Sequence, residues 1–439
     1  MSDDGRPQDL RGRLPHGPRW PVSCRRAGKT MGLFFTDPLF EEFAVSLGLG
    51  LGGQLGEVAA ICAQIEDGDD DAWYTGWSTA ADRLAEEADH AAARGHRVGA
   101  RETYLRANLY YAVSYHPLFG APVDPRLLTA FRKQSEVFGK AAAAAEPPGE
   151  ALEIPFENTT LPAYFFHADN SAESGPLLIA TNGYDATLFE MYLGQGLPAR
   201  QRGYHCLLFD GPGQGRLLYE DGIVMRPDWE NVVRPVVDVA LQRPEVDPQR
   251  IALIGWSLGG YLALRAAAGE HRLAACIADP GLFGIAEAMR ARLRAMGVPE
   301  AVLERLPDLD EATVAGMTAD MQRNRMQRWA MEQRGFWVHC VHTLPDYLRV
   351  ATEFTLAGHL DRIQCPTLVC AAQDDPLSST STAVYDGLTA SKTLLQFTSA
   401  DGAGDHCEMR NRALFNLRAF DWLEESLSAS TRQSLTAGR

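Results

Sequence analysis

Three side chains of this sequence could together carry out nucleophilic catalysis: Ser257, His406 and one aspartate of the adjacent pair Asp374 and Asp375. A serine hydroxyl attacks a carbonyl effectively only when a base takes its proton and a carboxylate holds that base in the right tautomer. Ser257 lies in Gly255-Trp256-Ser257-Leu258-Gly259, behind the apolar run Ile251-Ala252-Leu253-Ile254 and ahead of the helical pattern Gly260-Tyr261-Leu262-Ala263-Leu264-Arg265-Ala266-Ala267. Taken alone, G-x-S-x-G is a common accidental pattern, a serine in a strand-to-helix loop. With a strand before it and a helix after it, the pattern reads as a nucleophile elbow, a tight turn that lifts Oγ above the sheet.

In a site of this kind the acid and then the histidine follow the serine in chain order, each near the end of a strand. Pro366-Thr367-Leu368-Val369-Cys370-Ala371-Ala372 reads as a buried parallel strand, and Gln373-Asp374-Asp375-Pro376-Leu377 as the turn after it. Composition does not separate the two aspartates. The residue before a proline is held extended, which suits a carboxylate reaching from a strand end to an imidazole, so we assign Asp375 as the acid and Asp374 as a turn or capping residue. Leu394-Leu395-Gln396-Phe397 reads as the last strand and Gly402-Ala403-Gly404-Asp405-His406-Cys407 as a glycine-rich loop. Of the 11 histidines, His406 alone hangs between that strand and the terminal amphipathic pattern over residues 412–420, and it is the expected general base.

An oxyanion hole needs two N–H donors, one following the nucleophile and one from the loop after the third strand. Pro176-Leu177-Leu178-Ile179-Ala180 runs into Thr181-Asn182-Gly183-Tyr184-Asp185, so the backbone N–H groups of Tyr184 and Leu258 are the expected pair. Thr187-Leu188-Phe189-Glu190 has capping-box spacing and opens a helix with an apolar face of Leu188, Phe189, Tyr192 and Leu193. Asp185 has two readings. It caps that helix, or it stands beside the oxyanion hole as a second carboxylate for substrate activation.

The elements that must position these groups divide the chain into five stretches. Residues 1–30 are rich in Arg, Pro and Gly, lack the apolar core of a secretory signal and read as a disordered extension, with Met31 a candidate start of translation. Residues 31–149 read as an all-helical domain closed by Pro147-Pro148-Gly149. Residues 150–280 alternate strands and helices, residues 281–357 form a helical cap insertion, and residues 358–439 complete the core. The predicted fold class is α/β, a mostly parallel, doubly wound sheet. The Met and Trp residues of the insertion (Met289, Met296, Met317, Met321, Met326, Trp329, Met331 and Trp337) are expected mainly to pack helices, with a minority facing Ser257 to line a pocket for a flat apolar molecule. Asp210 and the glycines of Gly211-Pro212-Gly213-Gln214-Gly215 read as a structural turn after the fourth strand.

At 439 residues with 46% hydrophobic and 22% charged residues, the chain can bury one large core and a smaller helical one. No apolar run reaches the roughly 18 residues that span a membrane. A formal net charge of −16 argues against a nucleic-acid partner, which is held by clustered Lys and Arg. The 8 cysteines form no CxxC pair and several fall in predicted strands (Cys206, Cys276, Cys370), which suits reduced core thiols and a cytoplasmic location. No cofactor and no metal is expected. Gly48-Leu49-Gly50-Leu51-Gly52-Gly53 spells a dinucleotide fingerprint, but the preceding Glu41-Glu42-Phe43-Ala44-Val45 is helical in character. Asp67, Asp69, Asp70 and Asp71 lack the glycine and distal glutamate of a calcium loop and read as a solvated helix start. His339, Cys340 and His342 read as a cap-helix surface.

Thr181-Asn182-Gly183-Tyr184-Asp185, Phe209-Asp210-Gly211-Pro212-Gly213-Gln214-Gly215, Gly255-Trp256-Ser257-Leu258-Gly259-Gly260 and the loop at His406 together resemble the α/β-hydrolases grouped around 2,6-dihydroxypseudooxynicotine hydrolase, the FrsA-type proteins and the fungal enzymes that shorten polyketides by hydrolysing a carbon–carbon bond. The resemblance covers most of residues 31–439. It implies an α/β-hydrolase fold under a helical N-terminal domain, a triad at Ser257, Asp375 and His406, and a carboxylate for carbon–carbon cleavage at Asp185, one methylene shorter than the glutamate the resemblance implies there. The resulting expectation is a serine hydrolase acting on a ketone or acyl carbonyl of a small hydrophobic molecule, with carbon–carbon cleavage first. A carboxylesterase, an acyl transfer or cyclisation enzyme, and a non-catalytic regulatory binder are the alternatives. A small-molecule substrate is the expected partner, and a homodimer is left open.

Overall fold

The computed structural model describes residues 32–170 and 174–437, so the expected extension over residues 1–30 and Met31 lie outside the described residues. Its centre is an eight-stranded sheet: β1 (Glu150–Phe156), β2 (Thr159–Phe166), β3 (Gly175–Thr181), β4 (His205–Phe209), β5 (Val246–Trp256), β6 (Ala275–Asp279), β7 (Thr367–Ala372) and β8 (Lys392–Phe397). The spatial order is β1-β2-β4-β3-β5-β6-β7-β8. β2 runs antiparallel to both neighbours and all remaining pairs are parallel. β4 and β6 are buried along their whole length, as strands covered on both faces by helices must be. Cys206, Cys276 and Cys370 sit inside β4, β6 and β7 as buried free thiols. Among the described residues no helix is long and apolar enough to cross a membrane.

The stretch before β1 is helical. Helices Asp70–Ala93, Arg97–Tyr115 and Pro125–Ala143 are capped by Asp69 and Asp124 at the starts of the first and third, where a side-chain oxygen takes an otherwise orphaned N–H. The acidic run does stand at a helix start, with Asp69 as its cap, but it is not simply solvated, since Asp70 forms an ion pair with Arg325 of the inserted helices. Trp73 and Trp77 are fully buried, Trp73 stacked on Phe40 at 4.2 Å and donating its N–H to Val113 O at 2.8 Å. Phe131 and Phe138 press on Phe189, and Phe138 also meets Tyr192, so the layer packs on the helix that follows β3.

Between β6 and β7 the chain leaves the sheet for helices Ile285–Ala295, Glu300–Leu303, Glu311–Arg323, Arg325–Arg328 continued by the wide turns of Trp329–Phe336, and Leu344–Ala351. Of the eight Met and Trp residues singled out there, Trp329 and Trp337 join this insertion to its surroundings. Trp329 donates to His116 O at 2.8 Å and packs on Phe43, while Trp337 stacks on Tyr219 at 5.3 Å. Met296 is exposed.

Candidate active site

Register places the loop ends side by side. Thr181 at the end of β3 pairs with Gly255, and Trp256 at the end of β5 pairs with Asp279. The residue after β5 is Ser257, which turns back at φ 59°, ψ −131° before helix Leu258–Ala267 begins. A non-glycine residue in this region costs about 1–3 kcal/mol and persists only where its surroundings hold it. Two contacts do so: Ser257 N–H reaches Asp279 O at 2.7 Å, and the following Gly260 N–H reaches Ser257 O at 3.0 Å. Gly255 admits the turn because a Cβ there would overlap the Gly259 carbonyl.

The three residues expected to act together are brought together. His406 Nε2 lies 3.0 Å from Ser257 Oγ, and His406 Nδ1 lies 2.9 Å from Asp375 Oδ2. Asp375 is extended at φ −82°, ψ 115°, and its other oxygen accepts the Leu377 N–H at 3.0 Å, which fixes the carboxylate plane. Asp374 points elsewhere: its side chain takes the Ser399 hydroxyl and its N–H bonds to Gly404 O at 2.7 Å, pinning the histidine loop. Burial is the largest single influence on His406 and penalises its imidazolium, but the Asp375 carboxylate and, after it, the adjacent Cys407 together raise the pKa well above the ordinary imidazole value.

Gly183 lies close to Ser257. A Cβ on it would stand 2.8 Å from Leu258 N and 3.2 Å from Ser257 Oγ, so the loop after β3 lies close against the serine and the start of the helix that follows it. Their carbonyl neighbours are turned away by Gln214, whose amide donates to Asn182 O at 2.7 Å and Gly183 O at 3.1 Å while accepting Gly211 N–H at 2.9 Å. Asp210 accepts from Asn182 Nδ2 at 2.8 Å and Leu188 N at 2.7 Å; burial pushes its carboxyl up to about 8. The turn after β4 is thus a brace for the loop after β3. A second brace comes from the helical layer, where Gln134 donates to Glu190 at 2.6 Å and Glu190 accepts the Thr187 N–H at 2.6 Å.

That capping box settles one reading of Asp185. Thr187 caps the helix with Glu190, so Asp185 is not the cap. Its carboxylate instead receives Arg334 Nη1 at 2.7 and 2.6 Å. Arg334 lies against the rings of Tyr184 and Trp329, 5.0 and 4.9 Å from their centroids. His339, expected on a helix surface, is buried and hydrogen-bonded through Nε2 to the Tyr184 hydroxyl at 2.6 Å; burial lowers its pKa to about 4. The segment Trp329–Phe336 brings it inward, while Cys340 and His342 remain exposed and hold nothing in common with it. Among the described residues one group has metal-ligand proximity, Glu150, His167 and Glu245, far from Ser257 in the fold at the start of β1 and β5. Arg243 already pairs with both of its carboxylates at 2.8 and 2.7 Å.

Gln214, Arg334 and His339 were not singled out as site residues by the sequence. Gln214 sits in a glycine-rich turn that signals only its own backbone, and Arg334 and His339 meet their partners across 149 and 155 residues of chain.

A strained serine between β5 and its helix, a histidine after the last strand and an acid after β7 define an α/β-hydrolase site. The chain belongs to the alpha/beta hydrolase family, whose model matches residues 177–416. It is similar over most of its length to hydrolases of fungi. It is 33% identical over 394 residues to the 20-hydroxy-prefusarin hydrolase of Gibberella moniliformis, covering 86% of this chain and 93% of that protein. It is 32% identical over 406 residues to a hydrolase of Aspergillus aculeatus, covering 85% and 92%. In fold it is similar to 2,6-dihydroxy-pseudo-oxynicotine hydrolase, at a TM-score of 0.69 and 23% identity over 88% of this chain and 96% of that one.

Proposed function

We propose that the protein is a serine hydrolase that attacks a ketone or acyl carbonyl of a small hydrophobic molecule and cleaves the carbon–carbon bond beside it. The observation that carries the reading is the hydrogen-bonded chain from Ser257 Oγ through His406 to Asp375, at 3.0 and 2.9 Å. His406 Nε2 takes the Ser257 proton as Oγ adds to the carbonyl, and Asp375 stabilises the imidazolium. The Tyr184 and Leu258 N–H groups receive the oxyanion. As the tetrahedral adduct collapses, His406 returns its proton to the leaving carbon, and water then frees the acyl group from Ser257 by the same steps in reverse.

A carbon leaving group departs only if the substrate delocalises its charge, so a second carbonyl or a phenol oxygen must be held as well. Asp185, Arg334 and the Tyr184 hydroxyl, gathered beside the oxyanion loop, supply polar groups that an ester would not require. Kinship with fungal hydrolases supports the hydrolytic class.

A fluorophosphonate probe with mass readout should label Ser257 in the native protein and not in Ser257→Ala. Turnover should then be compared on a β-diketone and a p-nitrophenyl ester. Asp185→Asn, which frees Arg334, should depress β-diketone turnover about 10²-fold, the scale of a lost positioning contact, with ester turnover retained. Equal small losses on both would make the protein an esterase or acyl-transfer enzyme.

A further inference from the structure

Directly behind the elbow lies a charged cluster that the proposed reaction does not use. Asp279 ends β6, and Glu408 and Arg412 follow His406 by two and six positions. All three are buried. Arg412 Nη1 donates to Asp279 Oδ2 at 3.0 Å and to Cys407 O at 2.6 Å, and lies 3.8 Å from Glu408 Oε2. Its guanidinium is sandwiched between Trp256 and Phe415 at 5.2 and 3.9 Å, so it stands against the residue preceding the nucleophile.

Two carboxyl groups thus share one guanidinium out of water. Among the described residues no other Lys or Arg is paired with either. Asp279 Oδ1 and both oxygens of Glu408 lack any N–H or hydroxyl donor, yet the two carboxyls face each other. Two facing carboxylates in a dry site repel strongly, and a single proton between them converts the repulsion into a hydrogen bond. The cluster touches both catalytic loops. The Asp279 carbonyl receives the Ser257 N–H at 2.7 Å, and the Cys407 thiol at 3.5 Å. The Cys407 sulfur in turn receives the Ser257 N–H at 3.1 Å. Cys407 and Glu408 hold φ of 54° and 49°, a left-handed pair immediately after the base that needs support from its surroundings.

We propose that Glu408 is kept as a neutral carboxylic acid that donates to Asp279, and that Glu408, Asp279 and Arg412 act together as positioning residues holding Ser257 and His406 in register. The inference rests on the serine-hydrolase reading of the same site. Burial and the Asp279 carboxylate both push the Glu408 carboxyl well above its ordinary range, with Arg412 opposing them. The other titratable groups facing the cluster are Asp375, His406, Cys407 and Cys370. The two thiols are themselves raised by burial, Cys407 to about 12, and so stay neutral.

The test uses the full chain and the fluorophosphonate probe, whose labelling rate reads Ser257 and His406 without knowledge of the substrate. Glu408→Gln keeps a donor toward Asp279 and should label within about threefold of the native rate. Glu408→Ala removes it and should label about 10²-fold more slowly with an unchanged circular dichroism spectrum, the cost of a misplaced catalytic pair. The native labelling rate should fall on the alkaline side as Glu408 ionises, and Glu408→Gln should hold its plateau to higher pH. Infrared difference spectra should show a protonated carboxyl C=O stretch that disappears in Glu408→Gln, a readout independent of activity and of the folding of the alanine variant. Native-rate labelling of Glu408→Ala, an alkaline limb unchanged in Glu408→Gln, or absence of the carboxyl band would each overturn the proposal. Failure of the native protein to label at all would overturn the nucleophile itself, and with it the positioning role.

Discussion

Replacing Asp375 by asparagine separates geometry from charge at the base of the proposed triad. The carboxylate makes two obligatory contacts, Oδ2 with His406 Nδ1 at 2.9 Å and Oδ1 with Leu377 N–H at 3.0 Å. Both partners donate to it in the productive state. An asparagine has one acceptor oxygen and one NH₂ group, so it can satisfy only one of them. If its oxygen stays on Leu377 N–H, its NH₂ faces His406 Nδ1, which must then accept. The imidazole proton moves to Nε2, and that nitrogen can no longer take the Ser257 proton. If the amide flips, two N–H donors are opposed in a buried site, at a cost of about 1–3 kcal/mol. The first arrangement is favoured, and its consequence is a loss of about 10⁴ in kcat, the magnitude of a wrong-tautomer defect.

The matched control is Asp374→Asn. Asp374 is exposed, and its structural bond to Gly404 runs through its backbone N–H, which the substitution leaves intact. It should change kcat by less than about threefold. Both variants would be compared on a p-nitrophenyl ester, with melting temperatures to verify folding. Comparable losses in the two, or a larger loss in Asp374→Asn, would refute the assignment of the acid and the tautomer argument built on it.

Gly183→Ala would place a methyl group 2.8 Å from Leu258 N and 3.2 Å from Ser257 Oγ, neither of which can retreat from a helix start and a strained turn. Ester turnover should fall by about 10²-fold or more with the fold retained, since a donor of the oxyanion pair is displaced; native kcat would mean the pair lies elsewhere. The acid limb of kcat/KM should have its midpoint above the ordinary imidazole value of about 6.5, because His406 is raised and must be neutral to accept a proton. Activity is therefore lost as pH falls through that raised value. In Asp375→Asn the residual activity should have its midpoint at lower pH, the first of the influences opposing burial being gone, and a midpoint that does not move would exclude Asp375 as the source of the shift.

What the sequence made legible was what local geometry dictates. The elbow announced itself because β5, Ser257 and helix Leu258–Ala267 are contiguous, and Asp375 was separable from Asp374 because a following proline restricts only one of them. The capping box was legible for the same reason, four consecutive residues satisfying each other. The braces were not. Gln134 meets Glu190 across 56 residues and Arg412 meets Asp279 across 133, and no spacing rule links such pairs. Glu408 reads as an ordinary polar residue between two loops, and only the fold reveals that it is buried. The wide turns at Phe43–Leu49, Tyr192–Gly196 and Trp329–Phe336 also escaped, since an extra residue per turn shifts the apolar face and blurs the 3.6-residue period.

These long-range contacts explain why a hydrolase sheet carries so much helix. The insertion is tied at two points of one continuous helical run. Arg325 forms ion pairs with Asp37 and Asp70 and covers the Phe40 ring, and Arg334, nine residues on, holds Asp185 of the loop after β3. The N-terminal layer reaches the same loop from the other side through Gln134 and Glu190. Two amides aimed at a developing oxyanion stabilise it best when they need no reorganisation as charge appears. A loop at the end of β3 has little intrinsic rigidity, so its aim must be set by neighbours. Here Gln214 and Glu190 brace it from two separate elements, so the helical layer belongs to the frame of the proposed site as much as the sheet does.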